Sequence, residues 1–226
     1  AQIIIAAVIL LLVNIAQGET LADYEFNDLT DSASARDLAK HPWNSTITVK
    51  NGQAVFDGSG FYYAGSGADL IQSQSFTCET IFSVSRMQRN NLVSEAGYTD
   101  QGWELYTTPA GQISFSLART ATSSRYYNFT NVALTVGASY YLAAAVDTSA
   151  LSESTVTVTL YLKNLTDDGE IQTFSVTRTD QDAIHNSAIG LCVGGRYYNS
   201  NTYMDGTVDR VRLSAGALSQ DRLLKH

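Results

Sequence analysis

The hydrophobic pattern of this chain changes character once, near Gly18. Before it, Ile3 to Val13 contains no polar side chain; after it, apolar and polar residues alternate in short runs. Alternation with a period of two is the signature of strands with one buried face. It is cleanest at Thr155–Leu162, where Val156, Val158, Leu160 and Leu162 face one way and Thr155, Thr157, Thr159 and Tyr161 the other. In Phe76–Val84 the residues Phe76, Cys78, Thr80, Phe82 and Val84 share a face. Trp103–Tyr106 and Gln112–Leu117 flank the turn Pro109-Ala110-Gly111, with Ile113, Phe115 and Leu117 inward. Leu21–Phe26, Thr46–Val49, Ala54–Phe56, Tyr140–Val146, Ile171–Val176, Ile189–Val193 and Thr207–Leu213 read as further strands, and Asn51-Gly52 as a hairpin turn. Roughly a dozen short strands separated by turns predict an all-β, antiparallel two-sheet jelly-roll sandwich. Past the leader, only Leu218–Leu224 reads as a helical turn or two. The expected organisation is an apolar segment, 1–18, and one sandwich domain, 19–226.

The apolar segment needs a place to be buried. Left in water, the eleven residues from Ile3 to Val13 would forgo on the order of 15–30 kcal/mol. A secretory signal peptide, a membrane anchor and an assembly segment compete. A signal peptide would carry a basic stretch ahead of its apolar run, and none is present. As a helix, sixteen residues rise about 24 Å, short of the roughly 30 Å hydrocarbon core. An assembly segment packing against copies of itself is therefore the expectation, through Ile3, Ile4, Ile5, Val8, Ile9, Leu10, Leu11, Leu12, Val13 and Ile15. The segment resembles the mature N-terminus of type IV pilins, especially archaeal ones, although Ile5 stands where bacterial pilins carry Glu and the first residue is not aromatic. An extended donor strand is the alternative to a helix; the absence of polar alternation favours the helix.

Composition narrows function. Charged residues make up 16% of the chain and the net charge is −8, with no Lys/Arg cluster, which excludes a nucleic-acid surface. Thirteen tyrosines with many Thr, Ser and Asn suit strands with wettable outer faces on a secreted protein. Cys78 and Cys192 are the only cysteines; one disulfide and two separately buried thiols fit the sequence equally. Three N-x-S/T triplets, at Asn44, Asn128 and Asn164, adjoin turns, and at least one is expected to take an N-linked glycan.

The order of landmarks after residue 20 resembles the laminin-G-like, concanavalin-A-like jelly-roll family. LADYEFNDLTD is similar to its first strand, AVFDGSGFYY to its Phe-Asp-Gly strand and turn, and SFTCETIFSV to its Phe-Thr-x-Glu strand. GWELYTTPAGQISFSL resembles the central hairpin, SYYLAAAVD with VTLYLKN a later strand pair, and GLCVGGR with DGTVDRVRLSAGALS the closing strands. Arg210 stands where that family usually has Glu, and the turn Gly is missing at Lys163-Asn164-Leu165. Many members hold a structural Ca²⁺, which makes Asp57 and Asp209, at matching positions, the carboxylates to inspect; each is read as a hydrogen-bonding Asp, and the metal stays unassigned.

Catalytic patterns are scarce. Glucanases of this fold need paired carboxylates on one strand, whereas Glu79, Glu95 and Glu104 are isolated and read as surface or salt-bridged groups. His41, His185 and His226 lack metal-ligand spacing, and no nucleophile elbow is present. No enzyme activity and no required cofactor are expected. One local repetition stands out: Arg125-Tyr126-Tyr127-Asn128 and Arg196-Tyr197-Tyr198-Asn199. Tyrosines beside Arg and Asn suit sugar stacking or subunit contact. The expectation is a structural subunit of an extracellular, pilus-like homopolymer that meets the membrane only before assembly. The alternative is a secreted or anchored lectin-type module.

Overall fold

The computed structural model describes residues 18–30, 32–33, 37–42, 45–65, 74–96, 102–120, 122–187, 189–197 and 200–225. The assembly residues Ile3 to Ile15, together with Asn44, Tyr198 and His226, lie outside the described residues. Fifteen strands are described: β1 Thr20–Tyr24, β2 Ala39–His41, β3 Thr48–Lys50, β4 Gln53–Asp57, β5 Phe61–Tyr63, β6 Phe76–Val84, β7 Asn90–Ala96, β8 Gly102–Thr107, β9 Ile113–Thr120, β10 Ser123–Phe129, β11 Ser139–Asp147, β12 Val156–Asn164, β13 Gln172–Arg178, β14 Cys192–Val193 and β15 Asp205–Ala215. Helix is confined, among these residues, to 3-10 turns at Leu151–Glu153, Ser200–Thr202 and Gln220–Arg222, and none is long and apolar enough to cross a membrane.

The strands form two antiparallel sheets. One has eight strands in the order β13-β12-β11-β6-β15-β4-β3, with β1 on β15 beside β4; the other has seven, β10-β9-β8-β7-β14-β5-β2. β15 is long enough to hold β4 along Asp205–Val208 and β1 along Val211–Ser214. The predicted all-β sandwich is thus the observed architecture. β2, β5, β7 and β10 were not among the predicted strands.

Cross-strand partners share a face, so register decides what is buried. In the seven-stranded sheet Tyr62, Val193, Val93, Leu105, Phe115 and Tyr127 pair in one row and point into the core. Opposite them, the eight-stranded sheet supplies Phe76, Cys78, Phe82, Leu142, Ala144, Leu160 and Leu213. The sheets are knitted by rings: Phe76 lies 5.1 Å from Trp103 and 6.2 Å from Phe115, and Phe56 meets Tyr62 edge-on at 5.8 Å. Each fully buried ring or Leu contributes roughly 1.5–3 kcal/mol.

β6 is buried on both faces because the C-terminal segment folds back over the outside of its sheet. Leu218 and Leu223 cover Tyr141 and Ala143 there. Under this cover Glu79, with no exposed surface, accepts hydrogen bonds from Tyr141 Oη at 2.7 Å, Leu224 N at 2.8 Å and Arg212 Nε at 2.5 Å. Burial and the adjacent carboxylate push the Tyr141 phenol far above its ordinary pKa, so it stays a donor. A bulge at Asp209 sets the register in which Arg210 faces outward, where it forks onto Asp23 at 2.9 and 2.7 Å. The unusual Arg at this position is thereby matched by an acid on β1.

Removing the charge of Glu79 leaves a poorly solvated Arg212 without its partner, a loss of about 3–5 kcal/mol for a buried pair. Glu79→Gln is expected to lower the unfolding free energy by that amount in urea titrations followed by tryptophan fluorescence. A change under about 1 kcal/mol would contradict the clasp's importance.

Candidate functional site

The seven-stranded sheet turns a second set of rows outward. One runs Tyr63, Cys192, Ser94, Glu104, Ser116, Tyr126, and the next runs Asn91, Tyr106, Ser114, Asn128. Small polar residues therefore make the floor, and aromatic residues stand at both ends. From β5 to β10 is five strand spacings, roughly 24 Å.

Two turns bring arginines over this floor. Asn90, fully buried, anchors the turn between β6 and β7. Its amide donates to Arg86 O at 3.1 Å and Thr107 Oγ1 at 3.0 Å, and its Oδ1 accepts from Asp205 N at 3.0 Å. Arg89 is positioned by this turn. After β14, Gly194 takes φ +80°, and a Cβ there would sit 2.1 Å from the Phe56 ring, so only glycine fits. Ser94 Oγ donates to Gly195 O at 2.9 Å, and the chain then presents Arg196 and Tyr197.

Glu104 is the centre. Arg89 Nη2 donates to its Oε2 at 2.8 Å, Asn91 Nδ2 to the same oxygen at 2.8 Å, and Arg196 Nη1 lies 2.9 Å from Oε1. The Arg89 guanidinium also lies over the Tyr106 ring at 4.1 Å. Ser114 Oγ lies 3.0 Å from Tyr106 Oη and donates to Asn128 Oδ1 at 2.7 Å, which carries the network across to β10. The floor is buried beneath these groups; the side chain of Arg89 keeps 34% of its surface in solvent. At the β5 edge Tyr197 stacks on His41 at 4.7 Å and packs on Tyr63 at 4.9 Å. At the β10 edge Tyr126 is 45% exposed, one of two large apolar side chains so exposed among the described residues. The margin beyond is locked by ion pairs: Arg125 and Arg178 both hold Asp180, at 2.7 and 2.9 Å, and Arg119 holds Asp182. These pairings keep both carboxyls below their ordinary pKa.

The repeated Arg-Tyr-Tyr-Asn motif divides by strand geometry. Tyr126 faces out, but Tyr127 points into the core, where burial raises its phenol pKa, so it contacts no ligand. Neighbouring residues of a strand cannot share a face. Tyr126 and Tyr197 lie at opposite edges of one face. Cys78 and Cys192 are both free and buried, Cys78 in the core and Cys192 on the outer row of the other sheet, so the disulfide alternative gives way to two thiols. Asp57 is occupied by Thr46 and by Ser59 N at 3.0 Å, and Asp209, raised in pKa by burial, accepts from Gln53 at 2.9 Å. Among the described residues no group of three His, Cys, Asp or Glu could hold a metal. Glu79 and Glu104 are salt-bridged as read, and Glu95 accepts from Trp103 Nε1 at 3.1 Å. Sequence reasoning missed Arg89, Asn91 and Arg196 as partners of Glu104; the signal was the outward position of a lone acid in Trp103-Glu104-Leu105.

The sequence matches no protein-family model and no curated protein. Solved structures share the fold. Domain 4 of AbnA, an extracellular arabinanase from Geobacillus stearothermophilus in complex with arabinotriose, aligns with TM-score 0.65 at 18% identity, over 92% of this chain and 97% of that domain. The receptor binding domain of botulinum neurotoxin D aligns with TM-score 0.63 at 10% identity, over 90% of this chain and 50% of that one. The binding domain of botulinum neurotoxin DC in complex with rat synaptotagmin II gives 0.62 at 10%, with the same coverage. The chain thus spans half the length of the toxin binding domains, and at these identities the likeness is one of fold.

The two described sequons differ in access. Asn164 is closed into a turn, its Nδ2 donating to Asp167 Oδ2 at 2.7 Å and its Oδ1 accepting from Thr166 N at 2.9 Å. Asn128 is exposed, and among the described residues its Oδ1 accepts from Ser114 while its Nδ2 has no bonded partner. Expressed in a host with N-glycosylation, the protein is expected to carry glycan on Asn128 and not on Asn164. Peptide mass mapping checks this, and the reverse occupancy would contradict it.

Proposed function

We propose that this domain is an extracellular carbohydrate-binding module of lectin type that holds its ligand along the outer face of the seven-stranded sheet without cleaving it. The observation that carries the reading is the outward row of small polar residues between Tyr126 and the Tyr63–Tyr197–His41 group. Aromatic rings stack on the apolar faces of sugars, while fixed guanidinium and amide donors serve hydroxyls. The floor is already satisfied internally, which holds the rim groups in place before a ligand arrives. The fold shared with an arabinanase domain whose structure contains arabinotriose supports the same reading. A glycan on Asn128 would occupy this ground, so binding is best measured on unglycosylated protein. On a glycan array, Tyr126→Ala and Tyr197→Ala, each shown by its melting curve to be folded, are expected to weaken binding to retained glycans about 10-fold or more. An array without hits would remove the proposal.

A second reading, a filament subunit, rests on the apolar run Ile3–Val13. Among the described residues the core cluster draws its buried members from Ala22 onward. In this reading the leaders of neighbouring copies bury one another and the jelly rolls are displayed outside; head-to-tail contacts that do not close give a fibre. Deleting residues 1–18 is expected to leave a folded, soluble monomer by light scattering. Polymerisation of the truncated protein would defeat this reading and leave the lectin proposal standing.

A further inference from the structure

We propose that the ligand of this face carries a carboxylate, and that Arg89 reads it; the inference rests on the lectin reading above. Among the described residues, the charges that meet on the floor are those of Arg89 and Arg196, which are positive, and of Glu104, which is negative. One excess positive charge thus sits on this face of a chain whose net charge is −8. Arg196 is nearly enclosed, its side chain 11% exposed, while the side chain of Arg89 is the more open of the two, at 34%.

Arg89 is also held in one pose. Glu104 grips Nη2 at 2.8 Å, and the Tyr106 ring lies under the plane at 4.1 Å. Its Nη1 has no bonded partner among the described residues, which leaves donors aimed away from Glu104. A planar guanidinium fixed from one side and open on the other is built for a planar oxyanion, which it meets with paired N–H donors. A neutral hydroxyl would need only one such donor and would gain nothing from the second or from the charge. A carboxylate also cancels the excess charge. The rest of the chain, being acidic, repels polyanions at long range, so the fit is for one acid group and not for a highly charged polymer.

Two common chemical sources of a sugar carboxylate are a uronic acid and a nonulosonic acid. Titration calorimetry on the unglycosylated full chain would use a uronate trisaccharide, a nonulosonate-capped trisaccharide, and the carboxyl-reduced form of each. The expected result is that at least one acidic probe binds, and that its reduced form binds roughly 10-fold more weakly or worse. Which acidic probe binds identifies the source. Arg89→Met, which keeps the apolar stem over Tyr106, is expected to erase the difference between acidic and reduced forms, and Arg89→Lys to retain part of it. Melting curves show whether either variant is folded. Equal binding of acidic and reduced probes, or a preference that survives in a folded Arg89→Met, would overturn the carboxylate inference alone and leave the lectin reading intact. If none of the four probes binds while the array retains neutral glycans, the same inference falls. If neither method finds any glycan, both readings fall.

Discussion

The two-residue period of a strand, locked by cross-strand register, fixes nearly everything else in this molecule. Once Leu105, Phe115 and Tyr127 pair in a row and enter the core, their neighbours Glu104, Ser116 and Tyr126 have no freedom: they must form the outer face. A slip of one residue would bury the acid and expose the rings, at a cost of several kcal/mol per buried aromatic pair. Core energetics and the composition of the candidate site are therefore one constraint seen from two sides. Any change that loosens the Phe76–Trp103–Phe115 contacts should be felt on the opposite surface.

Each sheet carries a buried acid on its outer face, and the two are handled differently. Glu79 is closed over by the C-terminal segment, its oxygens taken by Arg212, Tyr141 and the Leu224 amide. Glu104 is held, among the described residues, by the side chains of Arg89, Asn91 and Arg196, and the first of these is partly exposed. The first arrangement gives a fastening with nothing left to bind. The second holds a charged group in position while leaving donors unused, which is what recognition of a ligand requires.

Much of the fold was legible in the sequence where alternation was strong. Val156–Leu162 announces its faces because Val and Leu alternate with Thr and Tyr, and Phe76–Val84 does so through Phe76, Cys78, Phe82 and Val84 at even spacing. β7 was not legible: Asn90-Asn91-Leu92-Val93-Ser94-Glu95 has a bulge between Asn91 and Val93, and both of its faces are buried, so no period survives. The tyrosine repeat drew notice, yet strand geometry divides it and sends Tyr127 inward. The Arg89–Glu104–Arg196 group was illegible for a topological reason. β14 inserts between β7 and β5, and only that sheet order brings the turn after it over Glu104. Residues far apart in the chain carry no local signal of such a meeting.

The central claim is that the outer face of the seven-stranded sheet is where this protein meets its ligand. Amide chemical-shift mapping during titration with a glycan retained on the array tests it most directly. The account predicts shifts concentrated at Arg89, Asn91, Glu104, Ser116, Tyr126 and Arg196, with the backbone around Glu79, Tyr141 and Arg212 unmoved. Shifts centred on the eight-stranded sheet's outer face or on the C-terminal segment, with the Glu104 network silent, would contradict it.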